Sequence, residues 1–426
     1  MKFRKNDQDK KPPARAVYTA STGYKDDDFT QDDDYDAEGI EEDELKTYSE
    51  ARQRKRQKRK LRKRRIVLFC IFVLVFFFVT ANWNSIAPVA LTDTMQNFFG
   101  SFGTSKYPVY FDEGSLETAV TIGSNVGVLT DTSFLIYSQN GDELASRPHG
   151  FNDPTAVSGG GKVVIYDRAG KSFRVETRFD EPFKASTAYD ITSAAVGDNG
   201  DFAIVTDSDD YLSELTVYDN AYKNIFKWDA SQGRILKAAI SPDGRMLAAV
   251  VIGARDGSFF SDIYIFNLGS ITPVAIKRYD GVLFSSLRFK GNDRITAVGD
   301  SEAVFLSSAG AQLSVYNYGN NELDCSANGD GPAVMVFKKS GSHFVVMSID
   351  SDGKVLGTAN IKTEDVSAVV NNDGKTVVVS SGRIWYASDS CESPGVRSVS
   401  GDIQSAVPLG GNAYIFGTQS IDKCLL

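Results

Sequence analysis

Two kinds of apolar pattern occur along this chain, and they divide it. From Ile66 to Trp83 runs an unbroken apolar stretch, IVLFCIFVLVFFFVTANW, of 18 residues with no charge among them. At about 1.5 Å of rise per residue that is roughly 27 Å of helix, close to a hydrocarbon core of about 30 Å. A single membrane-crossing α-helix is predicted, with Trp83 where an interfacial aromatic anchor belongs. From Thr118 onward the pattern changes to short apolar runs broken by turn residues. A small residue with Val or Ile is followed by a Gly, Asp or Asn turn and then by a β-branched run.

That second pattern repeats. Its instances are TAVTIGSNVGVLTD from Thr118, TAVSGGGKVVIYD from Thr155, SAAVGDNGDFAIVTD from Ser193 and KAAISPDGRMLAAVV from Lys237. They continue with SLRFKGNDRITAVGD from Ser286, DCSANGDGPAVMVF from Asp324, SAVVNNDGKTVVVS from Ser367 and SAVPLGGNAYIFG from Ser405. The starts lie 37, 38, 44, 49, 38, 43 and 38 residues apart. Apolar runs flanking an Asp-Gly or Gly-Gly turn predict a β-hairpin. A second strand pair follows, as in SFLIYSQNGDELAS from Ser133 and ELTVYDNAYKNIFKW from Glu214. Four short strands per unit at a period near forty predict the blades of an all-β propeller, whose neighbours must stack because a lone blade cannot bury both faces.

The ends of the repeat predict how the ring closes. The eighth unit stops at IDKCLL, enough for a third strand, while an unassigned strand, YPVYFD (Tyr107 to Asp112), precedes the first unit. Pairing the two completes an eighth blade and removes an open edge. Eight blades are expected. Seven is the alternative, because the fifth and sixth units fit the pattern least well.

Charge changes the picture at the N-terminal end. Residues 1–65 carry 19 Lys/Arg and 15 Asp/Glu, and the chain from Asn84 onward holds 27 basic and 40 acidic residues, a net of −13. Segment 1–50 is polar, with twelve acids between Asp26 and Glu44, and disorder is its expected state. Segment 51–65 is polybasic: Arg52, Arg54, Lys55, Arg56, Lys58, Arg59, Lys60, Arg62, Lys63, Arg64 and Arg65. No such cluster follows the apolar run, so the N-terminus is expected in the cytoplasm and the C-terminal domain outside the plasma membrane. A cleaved signal peptide fits poorly with 65 residues upstream of the run. The eleven cations and Trp83 form the expected membrane-surface site, with anionic lipid as the partner at the cytoplasmic face. A linker, 84–106, leads to the propeller, 107–426. So acidic a domain is a poor partner for nucleic acid.

Particular stretches resemble a known family. HGFNDPTAVSGGGKVVIYDRAGKSFRVETR (His149 to Arg178), YLSELTVYDNAYKNIFKWDASQGRILKAAISPDGRMLAAVV (Tyr211 to Val251) and DSDGKVLG (Asp350 to Gly357) are similar to domain-of-unknown-function family 5711, membrane-anchored proteins of Gram-positive cells. The resemblance runs from about Tyr107 to the end. ISPDGRMLAAVV also resembles the WD40-like repeats of TolB-type propellers. The family implies a fold and a location and no activity, so it assigns no catalytic residues.

Candidate chemistry is sparse. His149 and His343 are the two histidines of the chain, whereas acid–base and metal work falls mainly on that side chain. His149 precedes a glycine at a blade junction and is expected to be structural. No GxSxG, HExxH or P-loop pattern occurs, and no catalytic, cofactor or metal residue is assigned. Asp350, Ser351, Asp352 and Gly353 begin like a calcium loop, but Lys354 and Val355 follow where oxygen ligands are needed, so a hairpin turn is predicted. The acidic loop Thr206 to Asp210 and the glycines Gly159 to Gly161 are read as turns as well. Of the four cysteines, Cys70 lies in the apolar run; Cys391 and Cys424 fall in adjacent units, and Cys325 one unit earlier. A Cys391–Cys424 bridge needs Cα atoms within about 7 Å, which adjacency of blades does not guarantee. The expected function is a protein-binding or scaffolding module at the cell envelope. A transmembrane sensor relaying an external ligand to the tail is the alternative, and a cofactor-binding propeller enzyme the second.

Overall fold

The structure, a computed structural model, describes residues 104–426 together with Phe69 and Val73, both in helix. The tail, the basic block, the remainder of the apolar run and the linker as far as residue 103 lie outside the described residues. No helix among the described residues is long and apolar enough to cross a membrane.

Residues 104–426 contain strands and turns and no helix, arranged as eight four-stranded antiparallel sheets. Blades 1 to 7 span 116–148, 154–186, 191–230, 234–280, 284–317, 322–362 and 368–398. Blade 8 takes three strands from 405–425 and its fourth from Val109–Tyr110. Blades 5 and 6, the weakest repeats in sequence, are complete, which excludes the seven-bladed alternative.

In each blade the chain runs outward, and the first strands of neighbouring blades lie side by side around the axis. Turns between first and second and between third and fourth strands define an upper face. Turns between second and third strands, with the blade junctions, define a lower face. The middle strands are sandwiched between blades and buried on both sides, as in FAIVT (Phe202–Thr206) and SFLIY (Ser133–Tyr137). This is why they read as continuous apolar runs. Alternate residues serve different interfaces: Phe134 and Ile136 pack toward blade 2, Leu135 and Tyr137 toward blade 8. One apolar cluster fills each of the eight blade interfaces. Outer strands face solvent on one side and alternate, as in AIKRYD (Ala275–Asp280).

Closure follows the predicted route over a shorter strand. Val109 pairs with Ile421 and Tyr110 with Ser420. The Phe111 N–H donates to the Gln419 carbonyl at 3.2 Å, and the Leu116 N–H to the Thr418 carbonyl at 2.9 Å. Two residues form regular strand where six were expected, because Lys106 turns away to donate its N–H to Asn140 of blade 1 at 2.8 Å. The strand alternates between the core and solvent: Phe111 is 3% exposed and Tyr110 74%. Tyr107 and Val109 pack with Phe111 into the cluster shared by blades 8 and 1.

Candidate functional site

The first strands are short and carry small residues, so the ring leaves space on its axis. Equivalent positions can be matched across blades because a bulge precedes the same residue in five of them: Thr118, Ser193, Lys237, Ser286 and Cys325. In the remaining blades the repeat places Thr155, Ser367 and Ser405 there. Seven of these eight side chains are small and uncharged; the eighth is Lys237. Two residues further along, the repeat carries Val120, Val157, Ala195, Ala239, Ala327, Val369 and Val407, but Arg288 in blade 5. Lys290 follows by two more.

These exceptions meet on the axis. A cavity of about 420 Å³ is lined by the first strands of blades 1 to 5 and by Asn328, with Lys237 and Arg288 both in its wall. A second, of about 340 Å³, lies beside the first-strand turns and shares Arg288 and Asp198 with it. Arg288 stands between the two. Its Nη2 bonds to Asp330 of blade 6 and lies 3.5 Å from Asp198 of blade 3. Lys290 donates to the Gly329 carbonyl and, at 2.7 Å, to that of Gly331, tying blade 5 to blade 6. Burial and then the Arg288 guanidinium pull the Lys290 ammonium down to about 7. Beside them the Oγ1 of Thr296 and the Oδ1 of Asn328 are buried without a hydrogen-bond partner.

A second feature stands on the lower face. The middle strands of blade 4, Met246–Arg255 and Ser258–Asn267, are each ten residues long. Asp256 (φ +52°) and Gly257 (φ +81°) make the tight turn between them, a geometry that matches strand twist. The first strand leaves the ladder at Ile252 and the outer strand at Phe260, so among the described residues the tip pairs with itself and takes one further backbone bond, from the Gly281 N–H to the Phe259 carbonyl. Exposed around it are Phe259, Leu283, and Tyr211 with Leu212 from the loop of blade 3. The Gly281 N–H donates to the Phe259 carbonyl, two residues from Leu283, and next to Leu212 the Oγ of Ser213 accepts the Ile235 N–H of blade 4 at 3.2 Å. Asp209, Asp210 and Asp256 border this patch, and Asp207 is held by Arg234.

The sequence candidates fall elsewhere. His149 is buried at the blade 1–2 junction, with Nε2 against the Thr130 carbonyl at 2.9 Å and Nδ1 accepting the Phe151 N–H at 3.0 Å. Both ring nitrogens are engaged, and burial lowers its pKa; its role is structural. Asp350 accepts the N–H groups of Asp352 and Lys354 at 3.0 and 2.8 Å, and Gly353 has φ +85°, so this segment is a turn. The Gly159–Gly161 turn sits at the channel mouth, where a Cβ on Gly160 would come within 2.5 Å of the Gly200 nitrogen. Cys391 packs between blades 6 and 7 and Cys424 between blades 7 and 8, and Cys325, Cys391 and Cys424 are free thiols. Burial raises the thiol of Cys391 to about 11 and that of Cys325 to about 12. Among the described residues no three His, Cys, Asp or Glu side chains stand close enough to hold a metal ion. The eleven membrane-surface cations and Trp83 lie outside the described residues.

The family of unknown function DUF5711 matches residues 109–421. No match is found among curated proteins. Among solved structures, BamB from Moraxella catarrhalis aligns at 11% identity over 75% of this chain and 99% of that one, with a TM-score of 0.48. BBS1N, crystallised in complex with ARL6DN and soaked with mercury, aligns at 9% identity over 76% of this chain and 93% of its own, with a TM-score of 0.43.

Proposed function

The chain belongs to the DUF5711 family, and from that premise we propose that its eight-bladed propeller is a non-enzymatic, protein-binding module held at the cell envelope. The anchor in this reading is the apolar run 66–83, and the eleven cations before it keep the N-terminus in the cytoplasm against anionic lipid. What carries the binding function is the hairpin tip of blade 4 with Tyr211, Leu212, Phe259 and Leu283 exposed around it. Scattered exposed apolar residues are ordinary on any surface. Here Phe259 and Leu283 are joined through Gly281, Tyr211 and Leu212 sit on the loop whose Ser213 meets blade 4 at Ile235, and the hairpin tip between the two blades has few backbone partners among the described residues; both features suit a docked polypeptide. The acidic border of Asp209, Asp210 and Asp256 selects a partner segment that carries Lys or Arg beside apolar anchors.

A photo-crosslinking residue placed at Phe259 of the intact protein in its own membrane tests this reading. One at Leu313, exposed on the outer strand of blade 5, serves as control. The expected result is a discrete protein adduct from position 259, lost in Tyr211→Ala and absent from position 313. Adducts of equal yield from both positions refute the patch. External protease added to the same cells should cut after Lys106 and spare a tag on Met1; digestion of that tag refutes the anchored topology.

A further inference from the structure

We propose that the 420 Å³ axial chamber is a binding site for a small hydroxylated oxyanion, received by Lys237 and Arg288. The first ground is position. Lys237 and Arg288 occupy places that the repeat elsewhere fills with Ser, Thr, Cys, Ala or Val, on adjacent blades, and both face one cavity. A residue needed only for packing or solubility has no reason to break the pattern at the axis twice.

The second ground is vacancy of partners. Among the described residues the Lys237 ammonium makes no ion pair or hydrogen bond, although it lines a concave wall. Arg288 uses Nη2 for Asp330 and Asp198, which leaves its Nε and Nη1 donors uncommitted in a fork that fits carboxylate or phosphate oxygens. The two aspartates are more than half exposed in their side chains, at 64% and 55%. Such pairs are weak, so an anion can join them without first breaking a strong bond. Hydroxyls of Thr118, Ser158 and Ser286 complete the wall and make no hydrogen bond among the described residues.

The third ground is size. The volume lies within the range of small-molecule sites, about 300–1,000 Å³. The acidic exterior does not forbid the ligand. At physiological salt, charges beyond about 8 Å are largely screened; inside the chamber the Arg288 charge is shared with Asp198 and Asp330, so Lys237, which has no such partner among the described residues, supplies the attraction and Arg288 the hydrogen-bonding fork.

The test uses the full-length protein in detergent, with tartrate and inorganic phosphate as probes and erythritol as the uncharged control, measured by titration calorimetry and ligand-observed NMR. At least one oxyanion should bind with a Kd below roughly 1 mM, and erythritol should not. Tartrate alone points to a hydroxycarboxylate, phosphate alone to a phosphorylated compound. Lys237→Gln, which keeps a polar side chain one bond shorter and removes the charge, should weaken binding at least about tenfold. Lys237→Arg should restore it. Arg288→Lys keeps the charge but loses the fork, and should weaken binding with the melting temperature unchanged. The proposal fails if neither oxyanion saturates below about 10 mM, if erythritol binds as well, or if Lys237→Gln leaves the Kd unchanged.

Discussion

Single residues carry two unusual commitments of charge to the interior. Glu176, fully buried in the third strand of blade 2, receives Arg147 Nη1 at 2.7 Å and lies 2.8 Å from Arg174 Nη2. Arg174 also reaches Glu181 at 3.0 Å and the Pro148 carbonyl at 2.8 Å, so the group joins blade 1 to blade 2. It is not perfectly satisfied: Arg174 Nε and Glu176 Oε1 lack an aligned hydrogen-bond partner, and burial raises the Glu176 pKa. Removing one member leaves an uncompensated buried charge. Glu176→Ala should therefore cost about 3 kcal/mol or more in denaturant unfolding, and pairing it with Arg174→Met should recover much of that loss. Additive losses in the double variant would show that the pair is not a unit. Lys290 gives a pH signature. Its folded pKa of about 7 lies below its ordinary value of 10.5, so between those values the unfolded chain binds more protons and stability rises with pH. Measured against Lys290→Met at pH 7 and again near pH 9.5, the parent should gain relative stability at the higher pH. A flat or falling difference would sink this assignment.

Elements show why some of the molecule was legible in sequence and some was not. A middle strand buried on both faces must be apolar throughout, so runs such as KVVIYD announced themselves, and Asp-Gly or Gly-Gly turns marked their ends. The blade 4 hairpin was half visible. The interval from Lys237 to Ser286 is the longest of the series, at 49 residues, and its surplus is largely the two ten-residue strands. The patch was not visible, since Tyr211 and Leu283, 72 positions apart in sequence, are brought to the same face only through folding. Lys237 and Arg288 were hidden differently: a charged residue in a hairpin ordinarily faces solvent, and their departure from the pattern appears only once the blades are set in register. The hairpin's independence is testable. Replacing residues 254–259 by a two-residue Asn-Gly turn would keep the buried Phe260 and its pairing with Asp280, and would remove only pairs that the tip makes with itself and the bond from the Gly281 N–H to the Phe259 carbonyl. Thermal stability should change by less than about 1 kcal/mol, as for surface changes that touch no core. The crosslink expected near position 259 should disappear, tested from a reporter moved to Leu283. A large loss of stability would make the hairpin a structural brace instead of a docking element.

At the scale of the whole molecule, stability depends on joining the two ends of the propeller chain. Seven blades are continuous in sequence, and the eighth exists only because Val109–Tyr110 returns to the strand Ser420–Leu425. The contact is short in backbone terms but wide in side chains. Tyr107 stacks edge-on against Tyr414 with ring centroids 5.5 Å apart and donates its hydroxyl to the Ser138 carbonyl at 2.9 Å. Lys423 donates to the Gln139 carbonyl at 2.8 Å beneath the same rings. Residues 106–111 thus bind blade 8 to blade 1 from both sides, as a strand to one and as core to the other. A chain begun at Phe111 loses the burial of Tyr107 and Val109 together with the backbone bonds of the strand. The expected loss is about 3 kcal/mol, or roughly 6 °C at about 2 °C per kcal/mol in a domain of this size. It also bares the edge of Ser420–Leu425, so it should aggregate more readily. A chain begun at Ser105 keeps every one of these contacts and should melt with one begun at Ser101, since the interactions that close the ring start at Lys106. Thermal unfolding of the three side by side decides the matter. If the Phe111 form melts with the others, the ring is held by its eight inter-blade cores alone, and the terminal strand is a passenger.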